Sequence, residues 1–218
     1  MLLLSTGSIS SIHCYSIRFQ DNPSEKLLLN GRIWMDQYSK VEGDQFFLSD
    51  AFLKGSVTFN GRKFNNLDLK YDLINDELIL KPESHPIIIM NKEMVDSFTL
   101  VFENREYNII NAGNNTSGVL TGYINVLYEG TSRLYAKYTK KIYPLAVDGR
   151  YDLFVQEKRI YLQIDAEIFP VRGKRKFLNL LNDKKKEIRQ YIKENSIKLT
   201  GKDAATYAPV LEFYDSIK

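Results

Sequence analysis

At 218 residues the chain can bury a substantial core, and with 44 % apolar and 26 % charged residues it falls outside the disordered class. A net charge of +3 is too small to argue for a nucleic-acid partner, and one cysteine, Cys14, excludes an intrachain disulfide or a cysteine-based zinc site. Fourteen Tyr and twelve Phe against a single Trp favour pleated, half-buried surfaces, and so a β-rich fold.

The chain opens on Met1-Leu2-Leu3-Leu4 and continues in small and hydroxyl residues to Ile12. This resembles the end of a secretory apolar region, without the basic flank that should precede it. Residues 1–14 therefore read either as a truncated signal segment or as an ordinary frayed N-terminal start. Ile12 and His13 stand where a lipidated Cys14 would need small residues. No segment approaches the roughly 18 apolar residues of a membrane helix.

From residue 15 to 172 the pattern has a period of two, interrupted by turn residues, and predicts an antiparallel β roll or barrel-like body. Val57 and Phe59 alternate with Ser56 and Thr58, and Asn60-Gly61 is a hairpin signal because both residues tolerate positive φ. Leu67, Leu69, Tyr71 and Leu73 form the dry face of the next strand, with Asp68, Lys70 and Asp72 on its wet face. Asn75-Asp76 turns the chain into Glu77–Leu80, which completes a three-stranded meander. Further strands are expected at 87–90, 97–102, 107–110, 120–128, 132–138, 151–156 and 160–164. The polar run from Asn111 to Gly118 reads as a loop.

Near Lys174 the period lengthens to that of a helix, and residues 173–218 are expected to be a helical tail packed on the body, as part of one domain. Phe177, Leu180, Leu181, Ile188, Tyr191 and Ile192 share one face, and Lys184, Lys185, Lys186, Arg189 and Lys193 the other. Asn182-Asp183 divides this stretch into two helices, with Asp183 as the cap of the second. A last helix covers about 203–214, with Tyr207, Val210, Leu211 and Tyr214 facing inward and Pro209 in its first turn. Residues 172–202 hold eleven basic and three acidic side chains, a local +8 that leaves −5 on the rest.

No catalytic constellation, phosphate loop or metal-ligand set stands out, and no cofactor is expected. Of the two histidines, His13 lies in the suspect N-terminal segment, and His85 precedes Pro86 in what reads as an exposed loop. Asp68, Asp72, Asp76 and Glu77 form the acidic cluster. Paired carboxylates hydrolyse glycosides or hold calcium, yet alternation with apolar residues is the mark of a solvated sheet face. The basic face of Lys184, Lys185, Lys186, Arg189 and Lys193 suits an anionic surface or partner. It lacks exposed aromatics to stack bases, which makes nucleic acid an unfavoured partner. Two aromatic groups, Trp34, Tyr38, Phe46 and Phe47, and Tyr135, Tyr138 and Tyr143 interleaved with Lys137, Lys140 and Lys141, read as core or cross-strand packing.

Several strings together resemble a family of uncharacterised exported proteins from Bacteroidetes: Asn30-Gly-Arg-Ile-Trp34, Gly55-Ser-Val-Thr-Phe-Asn-Gly61, Leu69-Lys-Tyr-Asp72, Asn91-Lys-Glu-Met-Val-Asp-Ser-Phe98, Leu134-Tyr-Ala-Lys-Tyr138 and Glu212-Phe-Tyr-Asp215. The resemblance runs from about residue 30 to the C-terminus. It implies a periplasmic or other cell-envelope location and carries no active-site residues. The leading expectation is a non-enzymatic envelope protein that binds or scaffolds another envelope protein or a glycan, in an oligomeric state the sequence leaves open. The alternatives are a glycan hydrolase working through Asp72, Asp76, Glu77 and His85, and an anionic-surface or nucleic-acid binder acting through the basic helices.

Overall fold

A computed structural model describes residues 25–113, 119–201 and 203–218. The signal-like segment with His13 and Cys14, the body's residues 15–24, most of the polar 111–118 loop and Lys202 lie outside the described residues.

The period-two stretches fold as strands, and five of the tight turns between them contain residues with positive φ, at Asn60-Gly61, Asp76, Glu103-Asn104, Asp148-Gly149 and Asp165. In chain order they are β1 (Gly31–Ile33), β2 (Val41–Glu42), β3 (Leu53–Phe59), β4 (Arg62–Asp72), β5 (Glu77–Lys81), β6 (Ile88–Met90), β7 (Val95–Phe102), β8 (Arg105–Asn111), β9 (Tyr123–Glu129), β10 (Arg133–Val147), β11 (Tyr151–Ile164) and β12 (Glu167–Val171). All belong to one sheet with the order β1-β6-β5-β4-β3-β7-β8-β9-β10-β11-β12, while the two-residue β2 pairs in parallel with β11. Two antiparallel meanders thus leave β3 in opposite directions.

Asn60 and Gly61 both have positive φ, as the hairpin expectation requires. Leu69, Tyr71 and Leu73 are buried on one face of the β4 stretch, also as read from the sequence. The strands expected at 151–156 and 160–164 are one continuous strand, because Gln156, Glu157, Lys158 and Arg159 pair with Lys140, Thr139, Tyr138 and Lys137 of β10. A polar run that looks like a turn is here the wet part of a long hairpin.

The sheet coils without closing into a barrel. A large core gathers on its concave side from Val57, Leu69, Tyr71, Leu78, Phe98, Leu100 and Ile109, with Phe47 and Leu28 added from the N-terminal segments. The coiling brings β10 back toward the β4–β5 turn, where the Lys140 amide donates to the Leu73 carbonyl at 3.1 Å. A second core lies where β10–β12 meet the C-terminal helices α1 (Lys174–Leu180), α2 (Lys185–Glu194) and α3 (Ala208–Ile217). Phe177, Leu181, Ile188, Tyr207, Val210 and Leu211 are fully buried there, which is the inward face read from the helical periodicity. Pro209 sits in the first turn of α3, where its missing N–H leaves no intrahelical bond unmade. Asp183 is not the cap of α2; its carboxylate accepts instead from the Tyr214 hydroxyl at 3.2 Å, tying α2 to α3.

Candidate functional site

The acidic residues occupy two places. Asp72 does not lie on a solvated face: it is 2 % exposed. Its Oδ1 accepts from the Ile74 and Asn75 amides at 2.7 and 3.1 Å, and its Oδ2 from the Gln45 and Asn75 side-chain amides at 3.1 and 3.0 Å. Those bonds hold the β4–β5 turn and the 45–47 segment together. Glu77, directly across the ladder from Asp72, is ion-paired with Arg32. Asp72 and Glu77 line a small hollow of about 130 Å³ with Trp34 and Tyr38. Asp76 is absent from that hollow, and His85 is exposed in the loop between β5 and β6.

Asp76 belongs to an ionic cluster between the β4–β5 turn and strands β9 and β10. Lys92 donates to Oδ2 at 2.6 Å, Lys137 to Oδ1 at 2.8 Å, and the Tyr71 hydroxyl and Tyr123 amide add two further bonds. Burial pushes the carboxyl up, but the opposing Lys137 ammonium and the bonds from Lys137, Lys92 and Tyr71 outweigh it and hold Asp76 below its usual range. Gly122 approaches so closely that a Cβ there would lie 1.8 Å from Oδ2. Every oxygen lone pair of this group is engaged in joining distant strands, so neither Asp72 nor Asp76 offers a carboxylate to a substrate in this geometry.

On the basic face, Lys186, Arg189 and Lys193 are exposed, while Lys184 and Lys185 are half-buried. Tyr191 lies on the opposite, inward face as read, where its ring stacks on Phe213 at 4.1 Å. Among the described residues no group of three or more His, Cys, Asp or Glu is placed to hold a metal ion, and no helix is long and apolar enough to cross a membrane.

The arrangement best suited to a ligand is a bowl of about 410 Å³ on the concave side, between the two cores. Its aromatic wall is Phe47, Tyr107 and Tyr138: Phe47 packs on Tyr138 at 4.6 Å and edge-on to Tyr107 at 5.6 Å. Leu48 and Leu127 add apolar surface, and Arg105, Lys140, Lys158, Gln156, Asp44 and Asp203 supply the polar groups. Lys140 is committed to Asp44, donating to its carbonyl at 2.7 Å and its carboxylate at 2.9 Å. The Arg105 guanidinium lies over the Tyr107 ring at 5.2 Å. Burial pushes Tyr138 up to about 12, with Tyr107 adding to the rise and Arg105 opposing it. Burial also lowers Lys158, against the pull of Asp203.

Leu48, on the bowl's wall, has φ of 71°, and the Ser49 amide donates to the Phe47 carbonyl at 2.9 Å across it. This is a γ-turn on a branched residue, a strained conformation that persists only where its surroundings enforce it. The strain presents Phe47 and Leu48 to the same hollow. A few charged and hydroxyl groups converging over an aromatic wall, in a hollow of this volume, are the usual features of a small-molecule site.

Phe47, Tyr138 and Lys140 were visible in the sequence as aromatic and interleaved basic residues, although packing was their expected role. Tyr143, grouped with them, is half exposed instead of packed. Arg105, Lys158, Leu48 and Asp203 carried no sequence signal, because they come from four separate segments that only the coiled sheet brings together. No family model, curated protein or solved structure matches this chain.

Proposed function

We propose that this chain is a non-catalytic binding protein of the cell envelope, periplasmic and related to the exported Bacteroidetes proteins it resembles, whose bowl takes a small anionic ligand with an apolar body. The observation that carries this reading is the bowl itself: an aromatic wall beneath Arg105 and Lys158, beside a strained γ-turn at Leu48. Asp72 and Asp76, the carboxylates considered for a glycan hydrolase, are engaged in internal bonds, which favours holding a ligand over transforming one. An anionic group would meet the guanidinium, while the body of the ligand lies against Phe47, Leu48 and Tyr138. The resemblance to exported Bacteroidetes proteins supports the envelope location.

The test uses 8-anilinonaphthalene-1-sulfonate, an anionic aromatic probe, in a fluorescence titration of the folded protein. One saturable site is expected. Arg105→Gln should weaken it about tenfold, and Tyr138→Trp, which fills the hollow, should abolish it while the far-ultraviolet spectrum stays unchanged. Probe binding that ignores both substitutions would remove the bowl from consideration.

A further inference from the structure

A second hollow, of about 580 Å³, opens at the end of the β11–β12 ladder, where Arg159, Tyr161, Pro170, Arg172 and Gly201 border it. Ile160, Leu162 and Val171 belong to the core beneath the C-terminal helices. Alternation therefore sends Arg159, Tyr161, Pro170 and Arg172 to the opposite face of the two strands. Ile160 pairs with Val171 and Tyr161 with Pro170. One further step in the same register puts Arg159 opposite Arg172. On its other side Arg159 faces Lys137 of β10, so three cations stand in one row across the sheet.

Like charges directly opposite each other on a sheet repel, and the row needs negative charge to offset it. Lys137 has it, in the Asp76 carboxylate at 2.8 Å. The two arginines have little. Arg159 is 67 % exposed, and the acid beside it, Glu157, is 3.9 Å away and already bonded to Lys141 at 2.8 Å. Arg172 is exposed and has no ion pair among the described residues. No carboxylate lines the hollow. Exposed arginines are commonly just solvated, but solvation alone does not call for a hollow with an aromatic ring between them.

We propose that this hollow binds a small organic phosphate monoester, with its dianion between the Arg159 and Arg172 guanidiniums and its body on Tyr161 and Pro170. Two guanidinium forks can each take a pair of phosphate oxygens, and the dianion offsets both charges. A carboxylate brings one charge and two oxygens, enough for only one of the arginines. The volume exceeds that of a bare phosphate, which leaves room for a ring to lie against Tyr161. Lys158 also borders the hollow but is not needed to hold the phosphate. The site is distinct from the bowl, whose guanidinium is that of Arg105.

The experiment is isothermal titration calorimetry of the full chain at low salt with phenyl phosphate, inorganic phosphate and benzoate. One phenyl phosphate per chain is expected, with a Kd of about 1 mM or below. Inorganic phosphate should bind several-fold more weakly, and benzoate at least about tenfold more weakly. Arg159→Gln and Arg172→Gln should each weaken phenyl phosphate about tenfold with no loss in thermal midpoint. Arg172→Lys, which keeps the charge and loses the fork, should weaken it several-fold. Tyr161→Ala should bring phenyl phosphate down to the level of inorganic phosphate and leave the latter unchanged. Arg105→Gln should leave all three probes as they are. Benzoate binding equal to phenyl phosphate, or inorganic phosphate binding equal to it, would overturn the proposal. So would no binding at about 10 mM, indifference to both arginine substitutions, or loss of binding in Arg105→Gln, which would assign the phosphate to the bowl.

Discussion

Replacing Asp76 with Ala is the sharpest perturbation of the fold that forms the bowl. The carboxylate is 24 % exposed and the Lys137 ammonium 16 %. Without it, Lys137 keeps only the Tyr123 carbonyl at 2.8 Å, and the Tyr71 hydroxyl keeps a long contact to the same carbonyl at 3.4 Å. Removing one partner of a buried pair costs about 3–5 kcal/mol. The partial exposure of Asp76 and the 37 % exposure of Lys92 weaken the effect through solvent screening, so we expect a loss of about 3 kcal/mol. For a chain of this size that is about 6–12 °C in Tm. Urea unfolding followed by circular dichroism measures it. Asp76→Leu combined with Lys137→Met should recover much of the loss, because no charge is then left buried alone. The pH dependence has a defined sign. The folded carboxyl titrates below its ordinary value of 3.8, so its contribution is present above that value and disappears as the pH falls through the depressed one. Asp76→Asn should flatten that acid limb. A loss under about 0.5 kcal/mol in Asp76→Ala, with an unchanged acid limb, would refute the view that this cluster holds the coiled sheet together.

Gly122→Ala should cost about 2–4 kcal/mol in urea unfolding, because φ there is 65° and the new methyl would strike the Asp76 carboxylate; in the Asp76→Ala background only the backbone part, about 1 kcal/mol, should remain. Phe177→Ala empties the second core beside Tyr207, whose ring it meets edge-on at 4.7 Å, and should lower stability by about 3–5 kcal/mol. In an absorbance titration near 295 nm, Tyr128, Tyr138 and Tyr214 should ionise only near pH 12, raised chiefly by burial. Their contribution to stability is present below the ordinary value of 10 and is lost as the pH climbs toward 12, so alkaline unfolding should accompany their release.

The strands of the first meander were legible in the sequence because Leu69, Tyr71 and Leu73 alternate cleanly and Asn60-Gly61 fits one turn type. The inward residues of α3 were legible for the same reason, through their helical spacing. The Glu157–Arg159 stretch misled because polarity marks a wet strand as readily as a turn, and only its pairing with β10 decides between them. Asp72 misled because alternation places a side chain on a face without saying what covers that face; Gln45 and Asn75 cover this one. β12 was not expected from the sequence; its Pro170 is tolerated because β12 is the last strand of the sheet order, with no outer neighbour among the described residues to need its N–H. The bowl was the least legible feature. Its members meet because the sheet coils, and coiling follows from twist and packing accumulated over many strands instead of from any local pattern.

The proposed site in the bowl competes with the acidic turn and the basic helix as the place where an anionic ligand is held. Amide chemical-shift mapping of the labelled protein during titration with 8-anilinonaphthalene-1-sulfonate distinguishes the three. The largest shifts are expected at Phe47, Leu48, Arg105, Tyr107 and Tyr138. Shifts concentrated at Lys186, Arg189 and Lys193, or at Asp72 and Glu77, with the bowl amides unmoved, would contradict the proposed site.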